Sequence, residues 1–174
     1  MSCIVGIVEG KKVWMGAESC ASTGDGERVY TKLKKIFKNG PYLIGFVGNV
    51  RPGQVIMPNW KPPKDIKDFP DALIERFTEK GCIGVDSEDQ TTIQGTNFLI
   101  AFKNKLYGIL IDFQMNEIDT YVAIGSGSDF ATGSLHTTNS MKFSPEKRIK
   151  LALEAAVYHN ITCEGPFIIK TQPA

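Results

Sequence analysis

A chain of 174 residues with 42% hydrophobic and 22% charged content can bury one substantial core and has an ordinary globular composition. Its formal net charge of +1 gives no basic field to draw nucleic acid and no acidic tail. It also holds no run of about 18 apolar residues that would span a membrane. Cys3, Cys20, Cys82 and Cys163, with His136 and His159, form no CxxC pair and no metal-ligand spacing, so no metal and no cofactor is expected. Scattered cysteines without a framework fit a reducing, cytoplasmic setting, and both histidines read as structural. The N-terminus lacks the basic start and long apolar stretch of a signal peptide. One domain, residues 1–174, is expected.

The chain opens on a predicted β-hairpin. Cys3 to Val8 is apolar and β-branched, Glu9-Gly10-Lys11-Lys12 is the turn, and Val13 to about Ala17 returns. If Val8 faces Val13, Cys3 lies opposite Glu18. Residues 19–26 are small and polar and read as a loop. Val29 to Phe37 reads as a strand, the tetrapeptide Lys38-Asn39-Gly40-Pro41 as a turn, and Tyr42 to Val47 as a buried strand. Pro52, Pro58, Pro62 and Pro63 argue against a regular helix before about Lys67. From Asp68 a helix is predicted, with Pro70 in its first turn, Phe69, Leu73 and Phe77 on one face, and Gly81 as its stop. Cys82 to Gln94 reads as a polar loop. Asn97 to Phe102 and Leu106 to Phe113 form a third hairpin, and Thr120 to Ile124 a further strand.

The glycine-rich turn Gly125-Ser126-Gly127-Ser128-Asp129 leads into a helix from Phe130 to Thr137. With no GKS or GKT after it, this turn reads as one that lets a helix approach a sheet rather than as a phosphate loop. The last helix is capped by Ser144, opened by Pro145 and apolar along Ile149, Ala152, Leu153 and Ala156. Phe167 to Ile169 closes the chain as a strand. Paired strands with two late, adjacent helices predict an α+β fold: two antiparallel sheets packed face to face with helices outside.

The chemistry lies at the start of the first strand. Met1 precedes a small residue, before which initiator methionine is usually removed. Removal gives Ser2 both a hydroxyl nucleophile and its own base, an α-amine of unperturbed pKa about 7.7–8.0. That is the N-terminal-nucleophile form of covalent catalysis. On this stretch alone an ordinary methionine-serine start is the more economical reading, and the rest of the chain has to decide.

Several motifs in the right order do bear on it. The sequence resembles the proteasome β-subunit and HslV-type peptidases of the N-terminal-nucleophile hydrolases, and most of all a phage and bacterial branch beginning Met-Thr-Cys-Ile-Val-Gly. The resemblance implies a four-layer αββα sandwich. It sets the family's nucleophilic threonine on Ser2, and its acidic residue on Glu18 within Gly16-Ala17-Glu18-Ser19. The catalytic lysine falls on Lys35, with Lys34 one residue away as the alternative. The oxyanion position falls on Asn49 of Val47-Gly48-Asn49, and the Gly-Ser-Gly serine on Ser126. A further Asp and Ser of the family are replaced here by Asn160 and Cys163. Serine lacks the methyl that orients threonine, glutamate is longer than aspartate, and Asn160 lacks the carboxylate. The proline-rich stretch from Pro52 to Pro63 also delays the long helix that ring-forming relatives use in subunit contacts. The resemblance implies a peptidase that acts on peptide substrates in a homo-oligomer. A small-molecule amidase and a non-catalytic assembly or binding protein remain as alternatives. Substrate, ring size and any ATPase partner are not legible in the sequence.

Overall fold

The computed structural model describes residues 2–22, 28–30, 32–85, 90–161 and 163–172. The opening hairpin forms as predicted, from β1 (Cys3–Glu9) and β2 (Lys12–Glu18), and Val8 pairs with Val13. The expected strand from Val29 to Phe37 is broken. Short β3 (Cys20–Ser22) and β4 (Arg28–Tyr30) pair with each other, and only β5 (Ile36–Asn39) joins the next hairpin, with β6 (Tyr42–Gly48). Residues 32–35 between them are irregular, and Lys35 among them is buried. Residues 23–27 of the expected loop lie outside the described residues.

The prolines delay regular helix less than expected. The short helix α1 (Val50–Val55) contains Pro52 as its third residue. There the backbone N–H has no carbonyl one turn earlier to meet, so proline costs no helical hydrogen bond. A 3-10 turn at Ile66–Asp68 leads into α2 (Phe69–Lys80), whose buried Phe69, Leu73 and Phe77 follow the predicted stripe. Gly81 ends it at φ +65°. The stretch read as a polar loop contains a two-stranded ribbon, β7 (Ile83–Val85) with β8 (Thr91–Ile93). The third hairpin is β9 (Thr96–Phe102) with β10 (Lys105–Ile109), extended by β11 (Met115–Ile118), which the polar sequence hides. Then follow β12 (Tyr121–Gly125), α3 (Ser128–Thr138), α4 (Pro145–His159) and β13 (Phe167–Thr171).

Two antiparallel sheets result, ordered β12-β1-β2-β13 and β11-β10-β9-β6-β5. They pack face to face through Ile4, Met15, Leu43 and Leu99. The outer face of the first sheet carries α3 and α4 over Val5, Leu135, Ile149 and Leu153. The outer face of the second carries α1 and α2 over Phe46, Phe77 and Phe98. The order of layers is therefore αββα. Both faces of β1 are covered, which is why Cys3 to Ile7 read as a continuous apolar run and not as an alternation. Ile4 faces the other sheet, while Cys3, Val5 and Ile7 face the helices, as a period of two requires.

Phe77 is fully buried, with its ring 6.0 Å from that of Phe98 and 6.3 Å from that of Phe113. Truncation to alanine should destabilise the fold by about 3–5 kcal/mol in urea denaturation. Removing the Ser144 cap, whose Oγ accepts the Lys147 N–H at 3.3 Å, should cost only about 1 kcal/mol.

Candidate active site

The register of the opening hairpin decides where Glu18 lies. With Ile4 opposite Ala17, the next pair outward brings Glu18 beside Cys3. Its side chain is almost completely buried and turns back over the strand end. Oε1 accepts the Cys3 N–H at 3.2 Å, and Oε2 accepts the Cys20 N–H at 2.8 Å. Lys35, 5% exposed, donates from Nζ to the same Oε1 and to the Cys20 carbonyl. A buried ammonium and a buried carboxylate thus meet one residue from Ser2, with both carboxylate oxygens hydrogen-bonded. The structure separates the two lysine candidates: Lys35 enters the site, whereas Lys34 is exposed.

The other side of Ser2 is built by the glycine-rich turn. Ser126 Oγ accepts the Ser2 backbone N–H at 3.1 Å and donates to the Ser2 carbonyl at 3.3 Å. The Gly127 N–H reaches that carbonyl at 3.4 Å. Gly125 sits at φ +102°, and a Cβ there would fall 2.1 Å from Ser2 O, so a side chain at this position would force the first strand away. Asn160 follows α4 and donates from Nδ2 to the Ser126 carbonyl at 2.6 Å, which steadies the turn. Cys163 is fully buried; its N–H bonds the Asn160 carbonyl at 3.0 Å. Its thiol lies close enough to Cys3 to act on it electrostatically. Burial pushes the Cys3 thiol up, Cys163 and Glu18 add to the rise, and Lys35 opposes it. A thiol held neutral in this way is a poor nucleophile.

Six of the seven residues singled out from the sequence therefore converge on the start of β1: Ser2, Glu18, Lys35, Ser126, Asn160 and Cys163. Asn49 is not among them. Its backbone N–H is donated to Gly95 O at 3.1 Å, and its side chain bonds the Gln94 carbonyl at 2.9 Å, so both are turned toward the β8–β9 turn. The residue before it is better placed. The Phe46 N–H donates to Lys35 O at 3.1 Å, and N–H groups two apart on a strand point to the same side. The Gly48 N–H thus points past the first residue of β5, toward the end of the sandwich that holds Lys35. Gly48 has φ +100°, and a Cβ there would lie 1.9 Å from Gly95 O. A glycine ending an apolar strand was the signal in the sequence that pointed to it.

No family model matches this sequence, and no curated protein matches it. Solved structures do. BPH from Thiobacillus denitrificans, in complex with Epoxomicin, superposes with a TM-score of 0.80 at 16% identity, over 97% of this chain and 97% of that one. HslV from Trypanosoma brucei gives 0.71 at 18% identity, over 97% and 98%. Anbu, the ancestral beta-subunit, from Yersinia bercovieri gives 0.69 at 13% identity, over 98% and 81%. The chain has the proteasome-like N-terminal-nucleophile hydrolase fold. In this proteasome-like sandwich the N-terminal strand is interior to its sheet, between β12 and β2, so its first residues are ringed by strand ends from both sheets.

Removing one member of the buried pair leaves the other charged and uncompensated. Glu18→Gln should lower stability by about 3–5 kcal/mol in urea denaturation, and combining it with Lys35→Met should recover most of that loss. Additive losses in the double variant would show that the two are not coupled. Iodoacetamide near neutral pH should leave Cys3 and Cys163 unmodified in the folded protein and label them in urea, read by peptide mass.

Proposed function

We propose that this protein is an N-terminal-nucleophile peptidase whose nucleophile is Ser2, freed by loss of Met1. The observation that carries the reading is the Glu18–Lys35 pair, buried at the head of β1 beside the residue that would become the N-terminus. Ion pairs of this kind add little net stability over an apolar packing, so a buried one at a strand end fits a chemical role.

The steps follow from the groups present. Ser2 Oγ attacks an amide carbonyl, and its proton passes to the Ser2 α-amine, directly or through Ser126 or a water. The new oxygen–carbon bond leaves a negative oxygen, to which the Gly48 N–H donates. Lys35 holds a positive charge near the developing alkoxide, and Glu18 keeps that lysine oriented. The amine then returns the proton to the leaving nitrogen as the carbon–nitrogen bond breaks. Water releases the ester by the same path in reverse. Ser126, held at both ends of the Ser2 backbone, positions the amine.

A homo-oligomer is part of the same reading. Tyr158 (83% exposed) and Ile161 (75% exposed) lie at the end of α4, and the exposed Phe130 stacks on His159 at 4.9 Å. Exposed apolar patches of this kind mark interaction surfaces. The same patch is what favours the second reading, an assembly protein that kept the fold without catalysis. No helix among the described residues is long and apolar enough to cross a membrane, and a cytoplasmic location is proposed with the peptidase.

The intact mass of untagged protein should be short by one methionine. Peptide hydrolysis should then rise with pH as the amine loses its proton near about 7.7–8.0, and should vanish in Ser2→Ala. An epoxyketone such as epoxomicin, which offers separate carbons to a hydroxyl and an amine, should add to the wild-type chain and not to Ser2→Ala. A full-length mass with no adduct would make the assembly reading the correct one.

A further inference from the structure

The edges of the two sheets meet on one side of the sandwich, where β5 and β13 are each the last strand of their sheet. Lys170 on β13 crosses the gap and donates to the Ile36 carbonyl on β5 at 3.1 Å. Beside this crossing is a cavity of about 370 Å³. Its lining brings together Lys32, Lys34, Lys38 and Lys170 and, among the described residues, no carboxylate. Between the ammonium groups the floor is apolar, formed by Leu33, Phe37 and Met57.

Lysine on an edge strand is a common guard against strand addition. Guarding does not require a hollow with an apolar floor. The four cations, three from residues 32–38 and one from β13, repel one another. Lys170 registers the strain: burial holds its ammonium below the usual lysine range, with Lys34 and Lys38 adding to the effect. A ligand that brings several negative charges and an apolar body would relieve it.

We propose that this cavity is a substrate-docking site for extended, acidic peptide segments, with side-chain carboxylates meeting the lysine rim and alternate apolar side chains filling the floor. An extended peptide turns successive side chains to opposite sides, which suits a charged rim beside an apolar floor better than a compact anion would. The cavity volume is at the lower end of the range for ligand sites, enough for a few side chains. The segment that lines it runs directly into Lys35, so a chain docked there leads toward Ser2. Naming the occupant as substrate rests on the peptidase reading; the binding itself does not.

The test reads binding without cleavage. Full-length Ser2→Ala protein is titrated against a fluorescein-labelled peptide alternating leucine and glutamate, and against its leucine–glutamine counterpart, by fluorescence anisotropy. The glutamate peptide should bind roughly tenfold more tightly, and the difference should shrink as salt is raised. In a Lys34→Gln, Lys38→Gln variant with unchanged circular dichroism the preference should disappear, and Lys34→Arg, Lys38→Arg should retain it. Equal binding of the two peptides would overturn the proposal, as would a preference that survives the glutamine variant. Loss of hydrolysis in the wild-type protein would count against the peptidase reading alone.

Discussion

The local structure around the N-terminus depends on one carboxylate. Glu18 ends β2, yet through its two oxygens it fixes the Cys3 amide, the Cys20 amide and the Lys35 ammonium. Each contact ties down a different piece of chain: the first residue of β1, the start of β3, and the irregular segment before β5. Burying a carboxylate and an ammonium takes both out of water, and such a penalty is met only when every lone pair and proton finds a partner. Here the carboxylate is satisfied on both oxygens, and Nζ has a second acceptor in the Cys20 carbonyl. Lys35 lies at the end of the irregular segment, where its carbonyl still accepts the Phe46 N–H at 3.1 Å, so the ion pair is anchored to the edge of the second sheet.

Glycine answers the same constraint from the opposite side. Two sheets and a turn converge on Ser2, and the backbones come too close for side chains at two places. At Gly125 a Cβ would meet the Ser2 carbonyl, and at Gly48 it would meet Gly95. Both residues end strands, one in each sheet, and both have positive φ. The hydrogen bond from Asn160 to Ser126 then holds the turn that follows Gly125.

Much of this was legible in the chain because it depends on local periods. The hairpin register followed from one turn and placed Glu18 beside Cys3, and spacing by four residues gave the buried face of α2. What was not legible depended on contacts far apart in sequence. The polar stretch before β9 concealed β7 and β8, since narrow ribbons need little apolar patterning. Pro52 read as a breaker because its position within the first turn of α1 was not apparent. Asn49 and Gly48 are adjacent, and only the alternation imposed by Phe46 and Lys35 tells which N–H is turned which way. Lys34 and Lys35 were indistinguishable as letters and were separated only by burial.

The first sheet also sets the order of events in making the protein. Its two central strands, β1 and β2, come early in the sequence, but their outer partners, β12 and β13, come late. Pairing as distant as Trp14 with Thr171 must wait until β13 has been made. Contacts of such long range close slowly, because loop entropy is lost before they form. Ser126 and Asn160 arrive late for the same reason. Synthesis in chain order therefore leaves Ser2 without its contacts to the Ser126 turn, and that turn without Asn160, until those late segments are made.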